Sequence, residues 1–287
     1  MSNQPGVLYI VATPIGNLDD LSPRALLTLN EVSLIAAEDT RHSTKLLQHF
    51  GILTPMLAFH EHNEREKTPE LIAALNKGKS LALISDAGTP LVSDPGYRLV
   101  RAAHAAGVRV VPLPGACAAI AALSASGLPC DRFAFEGFSP VKSAARRTWF
   151  AALANEPRTL IFYESPHRIV ESLQDMAHSF GDARAAVYAR ELSKQFETVR
   201  HATLGELVAW VGADPNQLRG EIVVLVHGAV AAEAEISQDA ARIVRILIKE
   251  LPVSQAAALA AEITGLKKNQ LYGLALQLKP KSLDESS

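Results

Sequence analysis

Two cysteines in 287 residues, Cys117 and Cys130, form no CxxC pair and leave no material for a disulfide framework or a cysteine zinc site. A charge excess is missing too: 28 Lys and Arg stand against 30 Asp and Glu, a net charge of −2. That balance excludes a uniformly basic nucleic-acid coat and leaves room only for a local basic face. Neither GxGxxG nor GxxxxGK[ST] occurs, so nicotinamide and ATP chemistry have no motif support. No GxSxG elbow or Ser-His-Asp order is present, which argues against acyl hydrolysis. The amino-terminal stretch lacks a basic region, and Pro14 and Gly16 soon interrupt its apolar run, so no signal peptide is expected. The charge-free stretch 110–130 has the length of a membrane span, but its prolines and glycines leave only 116–126 for an uninterrupted helix. With 48% apolar and 20% charged residues, the reading is a soluble, cytoplasmic, globular chain of about two domains.

What is present alternates. Apolar runs at 7–12, 32–37, 57–59, 81–85 and 108–112 read as strands, with helical patterns after Ser22-Pro23, near 43–50, over 69–76 and over YRLVRAAHAAG. Apolar strands alternating with helices predict a largely parallel sheet covered on both faces. The series restarts beyond a linker at 126–131: strands at 133–138, 159–163, 185–189 and 221–226, and helices over KSAARRTWFAALA, ESPHRIVESLQDMAHSF and 203–211. Ser165 is expected to cap the second of these helices, with Pro166 at its first position. From 237 to 278 the pattern is helical throughout. The expected organisation is α/β: two α/β domains, 1–125 and 126–230, with a cleft between them, then a small all-α segment over 231–287.

Gly- and Pro-rich turns that follow buried strands are where open α/β sheets hold ligands. Four occur: 13–17 (TPIGN), 86–90 (DAGTP), 93–96 (SDPG) and 114–116 (PGA). Polar clusters follow other strands, Glu38-Asp39-Thr40-Arg41-His42 and His60-Glu61-His62-Asn63-Glu64. The second has no HExxH spacing, so it reads as a cleft wall rather than a metal site.

Together these segments carry a resemblance. LYIVATPIGNLDDLSPRAL, AEDTRHS, FHEHNE, LISDAGTPLVSDPG, PLPGACAAIAALSASGLP, FEGF, TLIFYESPHRI, ARELSKQFET and RGEIVVLV occur in this order. They resemble the tetrapyrrole-methylase-like (class III) methyltransferases and, more narrowly, the small-subunit ribosomal RNA methyltransferase I family. PVSQAAALAAEITGLKKNQLYGLALQL resembles that family's helix-turn-helix-like tail, with Gly265 at the turn and Lys267-Lys268 opening the last helix; a plain helical hairpin is the alternative.

The resemblance implies S-adenosylmethionine as methyl donor and the ribose 2′-hydroxyl of a cytidine in the decoding centre of 16S rRNA, within the 30S particle, as acceptor. It also implies a homodimer. It assigns the donor to Pro14, to Asp86, Ala87, Gly88, Thr89, Ser93 and Asp94, to Pro114, Gly115, Ala116, Cys117 and Ala118, and to Tyr163, Glu164, Ala189, Glu191, Glu221 and Ile222. Asp39, His60, Glu61, Glu164 and His167 are candidates for a base. Arg41, Lys45, Lys142, Arg146, Arg147, Lys267 and Lys268 are candidates for RNA phosphates. The competing reading is a tetrapyrrole C-methyltransferase, which shares fold and donor. The first-strand turn Pro14-Ile15-Gly16-Asn17 departs from the GPGD of those enzymes, and they need no helical tail.

Overall fold

The computed structural model describes residues 5–230 and 237–278. Positions 1–4, 231–236 and 279–287, which include the start of the chain and both edges of the expected tail, lie outside the described residues. The chain divides into two compact units, Met1–Ala229 and Val230–Ser287.

The first unit begins with β1 (Val7–Val11), α1 (Pro23–Glu31), β2 (Leu34–Ala37), α2 (Thr40–His49), β3 (Met56–Ala58), α3 (Glu64–Asn76), β4 (Leu81–Ile84), α4 (Tyr97–Ala105) and β5 (Arg109–Leu113). The strands form a five-stranded parallel sheet, β3-β2-β4-β1-β5. Every residue of β4 is buried, as a central strand covered on both faces requires. Leu29, Leu47 and Ile84 pack on one side of the sheet, and Leu71, Leu75 and Leu99 on the other. Ser22 caps α1 by accepting the Ala25 N–H at 3.1 Å, with Pro23 at the first helical position.

Two helix starts differ from the sequence reading. α2 begins at Thr40, because the Asp39 side chain accepts the Arg41 N–H at 2.8 Å and caps it. α3 begins at Glu64 and carries Pro69 inside it. Pro69 donates no backbone hydrogen bond, but buried Glu64 anchors the preceding turn, accepting the Gly96 and Arg98 N–H groups at 3.2 and 2.8 Å.

α5 (Ala118–Ser126), β6 (Phe133–Phe138), α6 (Ser143–Leu153), β7 (Thr159–Glu164), α7 (Ile169–Phe180), β8 (Ala185–Arg190), β9 (Thr198–Thr203), α8 (Leu204–Ala213) and β10 (Ile222–Val226) follow. The second sheet is mixed: β6 runs parallel to β7, and β7, β10, β8 and β9 pair antiparallel in that order. α6, α7 and α8 cover one face around Phe150, Phe162, Leu173 and Leu207. α5 covers the other, placing Ala119, Ala122 and Leu123 against Ile161, Val187 and Val223. The position expected to divide two domains therefore falls in the last turn of a helix packed on the second sheet.

β9 escaped the sequence reading. It is an edge strand with no buried residue, so it shows no apolar alternation. The expected cap at Ser165 is also corrected. Residues 165–168 form a turn in which the Arg168 N–H donates to the Ser165 carbonyl at 3.0 Å, and α7 starts at Ile169. The Ser165 N–H is taken by Glu164 at 2.8 Å, which holds the chain out of the helix.

The second unit contains α9 (Gln238–Glu250), α10 (Val253–Thr264) and α11 (Lys268–Leu278). They enclose a core of Val244, Ala257, Ala260, Leu271 and Ala275. Ser237 caps α9, and Gly265, at φ 70°, ends α10 in the left-handed conformation that glycine adopts without strain.

Candidate active-site cleft

The carboxyl ends of β1, β2, β4 and β5 meet the ends of β6, β7 and β8 and the start of β10 around a cleft of about 540 Å³. The loops that shape it are pinned to one another. Thr13 and Gly88 exchange backbone hydrogen bonds of 2.9 and 3.0 Å, zipping the turn after β1 to that after β4. Gly88 sits at φ 82°, and a Cβ there would lie 3.3 Å from Ile15 Cγ2. Thr89 Oγ1 donates to the Ala116 carbonyl at 2.9 Å, which ties in the turn after β5. Gly115 allows that turn to close on β1, since its Cβ would stand 2.7 Å from the Ala12 Cβ. On the second sheet, Glu191 accepts the Glu221 N–H at 3.0 Å and the Lys194 ammonium at 2.7 Å. Burial works against its charge, yet Lys194 and that N–H hold its pKa below the usual range. Lys194 also lies against Gly16, and Ser193 bonds Asp20, so the β1 and β8 loops are clasped together.

Among the described residues the lining carries Glu38, Asp86, Asp94, Glu164 and Glu221 with His42, and neither lysine nor arginine. The Asp86 N–H reaches Glu38 Oε2 at 3.4 Å, and Asp86 Oδ1 accepts the Asp39 N–H at 3.0 Å. Burial, then repulsion from Glu38, pushes Asp94 up to about 6, against a hydrogen bond from Ser85. Glu38 is likewise raised, first by burial and then by Asp86 and Asp39, although the Asp86 N–H pulls the other way. Desolvated carboxylates that repel one another favour a cationic ligand and oppose a pyrophosphate. A sulfonium donor that also carries an ammonium group fits this lining; a dinucleotide does not.

Of the residues expected to hold the donor, Asp86, Ala87, Gly88, Thr89, Ser93, Asp94, Cys117, Ala118, Tyr163, Glu164, Glu221 and Ile222 line the cleft. Pro14, Pro114, Gly115, Ala116, Ala189 and Glu191 do not. Pro14 is buried, Ala189 belongs to the core of the second sheet, and Gly115, Ala116 and Glu191 support the loops from behind. Tyr163 is fixed by the Ala119 N–H, which donates to its hydroxyl at 3.2 Å; burial raises its pKa well above the usual value.

The expected bases separate sharply. Asp39 is held at about 2 by hydrogen bonds from Arg41 and serves as the cap of α2. Glu164 is buried and saturated: it accepts from Ser165 N–H and Arg168 Nη2 through Oε1, and from Ser139 and Ser172 hydroxyls through Oε2, all between 2.5 and 2.8 Å. Neither is an available base. His60 and Glu61 lie outside the lining, and His60 is bonded to Asn63. His167, in the turn before α7, is outside it too. Glu38 and His42, from the polar cluster after β2, and Ile15, from the turn after β1, also line the cleft, although sequence alone assigns them no individual role. Val92, Phe138, Leu192 and Val223 line it as well, and no local pattern marks them.

Among the cations expected to face phosphate, Arg146 is corrected. Its side chain is 0% exposed and pairs with Asp175 at 2.7 Å and Glu171 at 3.4 Å, so it is a core ion pair. Arg147 shares Asp175 at 2.6 Å but stays half exposed. Arg41 is 91% exposed and carries its own counter-ion in Asp39; Lys45 and Lys142 are exposed. Lys267 and Lys268 are exposed at the start of α11.

A two-sheet α/β unit with its strand-end loops gathered on a carboxylate-lined cleft suits a cationic ligand better than a nucleotide phosphate. A profile of the tetrapyrrole (corrin/porphyrin) methylases matches residues 7–208, and one described as the RsmI C-terminal HTH domain matches 234–279. The ribosomal RNA small subunit methyltransferase I of Pseudomonas aeruginosa is 63% identical over 96% of this chain and 99% of its own. That of Escherichia coli O157:H7 is 57% identical over 96% of each. A uroporphyrin-III-C-methyltransferase structure from Thermus thermophilus superposes with a TM-score of 0.54 at 21% identity, over 77% of this chain and 94% of that one. The chain therefore belongs to the ribosomal RNA small subunit methyltransferase I family, within the tetrapyrrole methylases.

Proposed function

We propose that the chain transfers a methyl group from S-adenosylmethionine to the ribose 2′-hydroxyl of a cytidine in the decoding centre of 16S rRNA. The observation that carries this is the near-full-length identity to small-subunit rRNA methyltransferases, together with the carboxylate lining of the cleft. The tetrapyrrole alternative keeps only a distant likeness of fold, and the turn Pro14-Ile15-Gly16-Asn17 lacks the GPGD sequence of those enzymes.

Bound in this cleft, the donor supplies an electrophilic methyl group on a sulfonium centre. Glu38, Asp86 and Asp94 would offset its positive charge, and the small residues at Gly88 and Ala118 allow its close approach. Tyr163, Glu221 and Ile222 form the opposite wall. The acceptor oxygen must sit in line with the breaking bond, so the pinned loops contribute chiefly by orientation. A base for the departing proton contributes about 10²–10⁴-fold. In this reading Glu38 or Asp94, half-buried carboxylates of the lining, takes that proton in place of Asp39 and Glu164.

Lys45, Lys142, Arg147 and the tail lysines Lys267 and Lys268 supply phosphate contacts on the 30S particle. We read the acting form as a cytoplasmic homodimer, which a mass from light scattering will test, with residues up to 230 holding the donor and the tail holding RNA. No helix among the described residues is long and apolar enough to cross a membrane. Transfer of labelled methyl groups to 30S particles, followed by nucleotide mapping, tests the whole reading. Label on a base, or on a tetrapyrrole but no RNA, would overturn it.

A further inference from the structure

Two aromatic six-membered rings line the cleft, Tyr163 and Phe138, and Phe138 is the more exposed. Tyr163 lies between Phe135 and Phe138, with ring centroids 4.8 and 5.6 Å away and both contacts edge-on. Phe138 lines the cleft yet remains 55% exposed.

This placement requires an irregularity. Successive side chains of a strand alternate faces, so residues 135 and 138 of a regular strand would point to opposite sides. β6 pairs Phe135 with Ile161, skips Glu136, then pairs Gly137 with Phe162 and Phe138 with Tyr163. The bulge returns Phe138 to the face of Phe135 and Tyr163, and bulges beside active sites commonly re-aim a side chain. Gly137 takes the turn at φ 69°, where its absent Cβ would lie 3.6 Å from Ser93 Oγ of the β4 loop. Ser139 is buried, its hydroxyl on Glu164 at 2.5 Å and its carbonyl accepting from Arg168 at 3.2 Å. Glu164 thus anchors the backbone beside Phe138 as well as the Ser165-Pro166 turn. An apolar ring is being held in place at the mouth of a carboxylate cleft.

We infer that Phe138 is the stacking platform for the base of the acceptor nucleotide. The inference rests on the rRNA reading above. Bringing a ribose 2′-hydroxyl into the cleft carries its base to the rim, out of its own stack. Unstacked bases in RNA are met by aromatic side chains, whose faces replace the lost neighbour. Phe138 determines acceptor binding and leaves the donor untouched.

The test uses the full chain with 30S particles, comparing wild type, Phe138→Ala and Phe138→Trp. Phe138→Ala should raise KM for 30S about tenfold, the scale of one lost base–aromatic stack. Its affinity for S-adenosylhomocysteine by calorimetry, melting temperature and mass in light scattering should stay at wild type. Phe138→Trp should keep the wild-type KM. An unchanged KM in the alanine variant overturns the inference, as does a parallel loss of S-adenosylhomocysteine affinity, which would give the ring to the donor. A changed mass would give the ring to a second copy of the chain and overturns the inference as well. A wild-type protein that methylates no 30S rRNA removes the rRNA reading and this inference together; a wild type that does, with an indifferent alanine variant, removes the inference alone.

Discussion

Glu38, the first residue beyond β2, and Asp86, the second beyond β4, sit in hydrogen-bond contact across the strand ends, with the Asp86 N–H reaching Glu38 Oε2 at 3.4 Å. Two carboxylates share that edge with Asp94, and the consequence is a pH dependence of donor binding. Asp94 is raised to about 6 and Glu38 is raised too, so acid neutralises the charges a cation needs. Affinity for S-adenosylmethionine should climb as pH rises through about 6 and level off above it, with a slope of up to about tenfold per pH unit for each proton released. Asp94→Asn should flatten that profile and weaken binding at pH 8. Stability moves oppositely. A carboxyl raised in the folded state binds its proton more tightly there than when unfolded, so its contribution is lost as pH rises from 3.8 to about 6. Asp94→Asn should therefore melt higher than wild type at pH 7. Calorimetric titrations at pH 5, 6, 7 and 8 check both signs; a flat wild-type profile would remove Asp94 from the donor site.

Gly88→Val should abolish donor binding by two routes. At φ 82° a β-branched residue carries strain of about 1–3 kcal/mol, and its Cβ would press on Ile15 at 3.3 Å, inside the cleft. We expect a lowered melting temperature and more than about tenfold loss of S-adenosylhomocysteine affinity, with Gly88→Ala intermediate. Wild-type affinity in a folded valine variant would detach this loop from the site.

The parts legible in the sequence were those with a local physical signature. The buried run LALI, the Ser22-Pro23 start and Gly265 before the last helix each match the structure, because propensity and packing agree there. The Gly- and Pro-rich segments after β4 and β5 were legible as turns at strand ends, and the one after β4 lines the cleft. What was hidden depends on residues distant in sequence. Nothing in KSAARRTWF tells that Arg146 turns inward to Asp175 while Arg147 turns out. Glu164 ends a strand like a catalytic carboxylate, and only the folded arrangement of Ser139, Arg168 and Ser172 reveals it as saturated. Phe138 was missed because a bulge changes the face of every residue after it, and FEGF alone shows no bulge.

The burial of Arg146 separates two roles that its neighbours share in sequence. Removing Arg146 leaves buried Asp175 with only the half-exposed Arg147 and the Ser143 hydroxyl, and empties the space of a fully buried side chain, at a cost of up to about 3–5 kcal/mol. Arg146→Ala should lower the melting temperature by roughly 10 °C. Lys142→Ala, at an exposed position, should leave it unchanged while weakening 30S binding. Equal melting curves for all three proteins would contradict the core assignment of Arg146.

The tail gives the sharpest test of where RNA is held. Residues up to Ala229 carry both sheets and the whole cleft, and the helical unit after them encloses a core of its own. Ending the chain at 230 should therefore leave S-adenosylhomocysteine affinity intact and lower methylation of 30S particles through a raised KM. Lys267 and Lys268 stand exposed where α11 begins, free of any ion pair found among the described residues. Replacing both with alanine should weaken 30S binding without moving the melting temperature. It should also lower the slope of log affinity against log salt by roughly one unit per lost phosphate contact. A tail that only packs predicts the reverse pattern: the truncation loses stability or changes its mass in light scattering, and the double alanine variant keeps the wild-type salt slope. That combination would leave the helical unit as packing and give RNA recognition to the first unit, where Lys45, Lys142 and Arg147 are exposed.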